Sequence, residues 1–102
     1  MDATPPPFDA RLALRDTLDT ILRRITGQTW STPRQTQLDV GNAIGLLYDV
    51  EVPNGAYLAA QLGHLVRALG ARRPDTAQFV GTLEDFIAVL DAMDPGPAGG
   101  AG

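Results

Sequence analysis

The sequence predicts an all-α fold: a small single-domain bundle of four helices with disordered N- and C-terminal tails. Three observations carry this expectation. Apolar residues recur at three- and four-residue intervals in four separate segments, the period of one helix face. Prolines stand at 5–7, 33, 53, 74, 95 and 97, none of them inside a periodic segment, and proline interrupts helix interiors because it lacks an N–H and clashes with the preceding turn. No stretch alternates apolar and polar residues for long enough to be a strand; Val50-Glu51-Val52 alternates, but Pro53 cuts it short. A chain of 102 residues suffices for one domain. The near-regular spacing of Pro33, Pro53, Pro74 and Pro95 comes without a shared side-chain pattern, so it reflects similar helix lengths rather than a repeat.

Residues 1–7 read as a flexible Pro-rich tail, and residues 8–94 as the helical domain. The first helix is expected at about 9–26. Its stripe is Leu14, Leu18, Ile21, Leu22 and Ile25, with Arg11, Arg15, Asp16, Asp19, Arg23 and Arg24 on the other side and Gly27 as the stop. The second, at about 33–50, opens on Thr32-Pro33-Arg34-Gln35: a capping hydroxyl, a proline at the first helical position and a Gln at the third. Leu38, Val40, Ile44, Leu47 and Tyr48 continue it. Gly41 and Gly45 lie one turn apart, and each costs up to about 1 kcal/mol against alanine in a helix interior. The compensation expected for them is close approach of another backbone.

The third helix, at about 54–72, can be capped by Asn54. Its stripe is Leu58, Leu62, Leu65 and Leu69, and a flank of Ala59, Gly63 and Val66 leaves Gln61, His64 and Arg67 as the polar breaks. Such apolar coverage predicts a central helix buried on more than one side. Gly70 and Arg72-Arg73-Pro74 end it, with the arginines at the negative end of the helix dipole. The fourth, at about 75–93, has two candidate starts, Asp75 with Gln78 or Thr82 with Asp85. Phe79, Leu83, Phe86, Leu90 and Met93 form one stripe through both, so a bend near Gly81 or a short turn before the helix is expected. The tail at 95–102 has nothing to bury.

Composition excludes several chemistries. The absence of cysteine removes disulfides, thiolate metal sites and a cysteine nucleophile. Eight basic residues, all arginine, against twelve acidic ones give a net charge of −4, which argues against a general phosphate-binding role. His64 and Ser31 are the sole histidine and serine, and no spacing brings them into a catalytic relation. The carboxylate pairs Asp16/Asp19 and Asp91/Asp94 lack the histidine or glycine-pivoted oxygen loop of a metal site and read as solvated faces. We therefore expect a non-enzyme with no cofactor. The N-terminus carries no charged-then-apolar run and no stretch reaches the ~20 apolar residues of a membrane span. The expectation is a cytoplasmic protein with no membrane contact.

Two local resemblances supply alternatives. Ala59-Ala60-Gln61-Leu62-Gly63 has the Ala-then-Gly spacing of helix-turn-helix sequences, and Arg67, Arg72 and Arg73 follow it. His64 to Leu69, however, offers few groups for base edges. A DNA-binding or DNA-packaging accessory protein is the first alternative. Tyr48-Asp49-Val50-Glu51-Val52-Pro53 is similar to the end of the second helix of acyl and peptidyl carrier proteins, and Thr82-Leu83-Glu84-Asp85-Phe86 to the start of their last helix. The resemblance implies a carrier-like domain with a phosphopantetheine-bearing serine in an Asp-Ser-Leu setting. Ser31, between Trp30 and Thr32, departs from that setting, so the second alternative lacks its essential motif.

The reading the residues favour is a non-catalytic helical interaction or assembly module, self-associating or held in a larger complex, with a protein partner or a second copy as its occupant. Leu46, Val50, Tyr57 and Val66 lie off the main stripes, and uncovered apolar groups mark interfaces. Trp30, Leu46, Tyr48, Tyr57 and Val66 are the candidate contacts. After Arg73 the chain is acidic only, and Glu84, Asp85, Asp91 and Asp94 form a candidate docking face for a basic surface, unless they pair with Arg72 and Arg73 across the bundle.

Overall fold

Four helices form, and the caps that start and stop them are local. In the computed structural model, which describes residues 9–27, 32–72 and 75–93, they are α1 (Ala10–Ile25), α2 (Pro33–Leu46), α3 (Gly55–Leu69) and α4 (Ala77–Ala92). There are no strands among the described residues. The tails expected at 1–7 and 95–102 lie outside them. Asp9 caps α1, its side chain accepting from the Leu12 N–H at 3.2 Å. Gly27, at φ 81°, ends α1 in the left-handed conformation that glycine adopts without strain.

The start of α2 is the expected capping box. The Gln35 N–H donates to the Thr32 hydroxyl at 3.2 Å, and the Thr32 N–H donates back to Gln35 Oε1 at 3.1 Å. Thr32→Ala removes the hydroxyl that accepts at the helix start, and a loss of about 1 kcal/mol is expected in urea unfolding. Thr32→Ser should keep nearly all of it; equal losses for both would show that the box contributes nothing.

Long-range bonds set the helix directions. Arg11 at the start of α1 donates to the Leu90 carbonyl at the end of α4, at 2.7 Å. Gln37 near the start of α2 donates to the Val66 carbonyl late in α3, at 3.0 Å. Tyr57 at the start of α3 stacks on Phe86 late in α4. Neighbours therefore run antiparallel, in the order α1–α2–α3–α4 with α4 returning to α1, while α1 and α3 stand diagonally apart. The core between them holds Leu14, Leu18 and Ile21; Val40 and Ala43; Leu58, Leu62, Leu65 and Leu69; and Phe79, Leu83, Phe86, Ile87 and Leu90.

Several details differ from expectation. α3 is not central: it adjoins α2 and α4 only, so one leucine stripe is buried while Ala56, Tyr57, Ala60, His64 and Arg67 face outward. It ends at Leu69, where Gly70 and Ala71 turn back on Arg67 and Ala68. α2 stops at Leu46, because residues 47–49 tighten into bonds from Tyr48 to Gly45 (3.2 Å) and from Asp49 to Leu46 (2.9 Å) ahead of the Pro53 turn. Asn54 makes no side-chain cap. It sits at φ 60° after Pro53, with the Gly55 N–H donating to Val52 at 2.9 Å, the signature of a type II turn. α4 starts close to the first of the two candidate positions: Thr76 precedes it, it begins at Ala77, and Asp75 accepts from the Ala77 N–H at 3.4 Å. It runs uninterrupted through Gly81, which faces solvent.

The largest departure is in α2. Its buried stripe is Thr36, Val40 and Ala43, with Ile44 and Leu47 half-buried, whereas Leu38 is 63% exposed. Small groups on the inner face let α2 fit between α1 and α3. Gly41 and Gly45 fall on the outer side, and a Cβ added at either would meet nothing within 4 Å. No neighbouring backbone of the chain approaches them.

Candidate interaction surface

The outer face of α2 and the connector that follows it carry the two most exposed of the large apolar side chains among the described residues. Leu38 and Tyr48 stand at the two ends of this surface, Tyr48 being 88% exposed. Beyond Tyr48 the connector and the first turns of α3 enclose a hollow of about 330 Å³. Ile44, Leu47, Val50, Val52 and Ala59 give it an apolar lining, and the Glu51 side chain adds a carboxylate. Its size falls at the lower end of the range for sites that take a side chain or small ligand. The type II turn at Pro53-Asn54 keeps it open by sending α3 back along α2.

The other candidate contacts fare differently. Leu46, Val50 and Val66, which the sequence places off the stripes, are folded half-buried against the flank of the core. Tyr57 is about half exposed, its ring 6.5 Å from that of Phe86 at 25°, so it covers the α3–α4 seam. Trp30 lies outside the described residues. Only Tyr48 and the unforeseen Leu38 project as large apolar groups from α2. The signal that identifies Leu38 is its spacing to Gly41, Gly45 and Tyr48, a second stripe opposite the first.

The acidic face is partly neutralised. Asp91 pairs with Arg15 at 2.9 Å, not with Arg72. Arg73 and Asp94 lie outside the described residues. The hydrogen bond and charge of Asp91 raise the Arg15 pKa above its ordinary value. Together with Arg11 at the Leu90 carbonyl, Arg15 brings positive charge to the C-terminal end of α4, which has no basic residue of its own in its last turn. Glu84 and Asp85 remain exposed. Asp19 pairs with Arg23 at 2.9 Å, and Asp16 lies 3.5 Å from Arg15. At the far end of α1, Arg24 Nε stands 2.9 Å from Asp39 Oδ2 as a close ionic contact without aligned hydrogen-bond geometry.

The alternatives find little support in this geometry. Ala59 to Gly63 lies inside the single helix α3, with no turn between two helices. His64, Arg67 and Arg72 are exposed. Thr82 to Phe86 lies in mid-α4 rather than at a helix start, which removes half of the carrier-protein resemblance. Ser31 is outside the described residues. No three His, Asp or Glu side chains gather in a metal-binding group among the described residues. No described helix is long and apolar enough to cross a membrane. The class defined is a small antiparallel four-helix bundle. No model of a known family, no curated protein and no solved structure matches the chain.

Proposed function

We propose that the protein is a non-catalytic helical interaction or assembly module whose contact surface is the outer side of α2 with the adjoining hollow. The observation that supports this reading is the exposure of Leu38 and Tyr48 on one helix face, with Tyr48 at the edge of an apolar depression, in a chain with only six aromatic residues. Burying such groups against a partner gains hydrophobic free energy that the isolated chain leaves unused.

A thermal midpoint that rises with protein concentration is the expected result for the wild type, since association stabilises the folded state by mass action. Tyr48→Asp should abolish that dependence and leave the dilute-limit midpoint nearly unchanged, because an exposed side chain contributes little to the monomer. A strictly monomeric wild type that captures no partner from its native extract defeats the reading. A second reading, a DNA-binding accessory protein, draws on the exposed Arg67 and Arg72. Duplex binding that falls steeply with salt would favour it.

A further inference from the structure

The outer face of α2 has an internal symmetry that says what fits it. Arg34, Leu38, Gly41, Gly45 and Tyr48 follow one another at alternating four- and three-residue steps, the spacing of a helix–helix seam. The turns after Leu46 carry the helix path on to Tyr48. Leu38 and Tyr48 are centred on Ala43, and so are Gly41 and Gly45. Laid antiparallel on itself, the face therefore brings Leu38 against Tyr48 and glycine against glycine, each contact occurring twice, and turns the Arg34 end toward the connector that carries Asp49 and Glu51.

We infer that the occupant of this face is a second copy of the chain, packed α2 against α2 about a two-fold axis that passes between Gly41 and Gly45. The inference rests on the interaction-module reading and specifies its partner. The charges choose the direction. The basic Arg34 stands at the N-terminal end of the face and Asp49 and Glu51 at the C-terminal end, so a parallel arrangement would set like charges together. None of these three has an ion-pair partner among the described residues. Antiparallel α2 helices also oppose their dipoles. The glycines supply the close backbone approach that their cost in a helix calls for and that the single chain does not provide, since a Cβ at either would meet nothing within 4 Å. Leu38 of each copy then lies over Tyr48 of the other at the mouth of the apolar hollow. An isologous contact of this kind closes at two copies.

Sedimentation of the full chain over a wide concentration range tests the proposal. The wild type is expected to dimerise. Gly45→Leu puts bulk where the monomer has open space, so it should raise the dimer dissociation constant about tenfold or more, as loss of a central contact does. It should not lower the thermal midpoint of the dilute chain, which separates blocked association from failed folding. Arg34→Glu and Glu51→Arg should each weaken the dimer by about threefold or more, and the chain carrying both should recover most of the loss. A wild type that stays monomeric overturns the two-fold contact; capture of a different, Tyr48-dependent partner would then leave the module reading standing. A dimer indifferent to Gly45→Leu overturns the face, again without touching that reading. Failure of the doubly reversed chain to recover overturns the antiparallel register and with it the proposal.

Discussion

Leu65→Ala is expected to lower the unfolding free energy by about 2–5 kcal/mol, the cost of a buried leucine truncated in place. Leu65 is fully buried in the middle of α3, between Leu62 and Leu69 on the one stripe that helix contributes to the core. Opposite Leu65 the outward side of α3 carries the small Ala60 and the polar His64 and Arg67, so no large apolar group stands there to replace the lost contact. A domain of this size holds only about 5–15 kcal/mol in total, so the variant should show a much lower urea midpoint with a similar slope. A loss below about 0.5 kcal/mol, the level of surface substitutions, would mean that α3 is not held by its leucines.

A comparable effect is expected at the α1–α2 seam, from a different cause. Arg24 and Asp39 are 21% and 24% exposed and face each other at 2.9 Å. Asp39→Ala leaves the guanidinium mostly buried and without its counter-charge. Breaking a fully buried pair costs about 3–5 kcal/mol, and the remaining solvent contact here reduces that to about 2–3 kcal/mol. Replacing both residues with apolar ones, Arg24→Met with Asp39→Leu, removes the uncompensated charge along with the attraction and should recover most of the loss. Urea unfolding of the four chains closes the cycle. Strictly additive losses would show that the two side chains do not interact.

What could be read from the sequence was whatever neighbouring residues decide among themselves. The Thr32–Gln35 box, the Gly27 stop and the leucine stripe of α3 each depend on groups within a turn or two, and each forms where the spacing places it. α2 resisted because it carries two apolar sets. Leu38 and Tyr48 are larger than Thr36 and Ala43, so size alone adds them to Val40, Ile44 and Leu47, which do face the core. Space between α1 and α3 admits the smaller set instead. The glycines stand out in the sequence by their cost, but whether a backbone approaches them depends on which face is covered. Arg11 and Arg15 were legible only as charges on α1. Their partners at Leu90 and Asp91 lie at the far end of the chain, and no local pattern joins them.

That last pair of contacts bears on the order of the helices themselves. Arg11 and Leu90 are separated by 79 positions and joined by one hydrogen bond, with Arg15 and Asp91 beside them. The beginning of α1 and the end of α4 are therefore neighbours in space, as chain ends often are. A short linker from Met93 to Asp9, with a new break in the connector at 70–76, would give the succession α4–α1–α2–α3 and ask no helix to change its neighbours. The exposed Gly70, Ala71, Arg72 and Asp75 make that connector a tolerant place to cut. In such a ring no helix is intrinsically first or last; the fold is a property of cyclic order, and the point of opening is a separate choice.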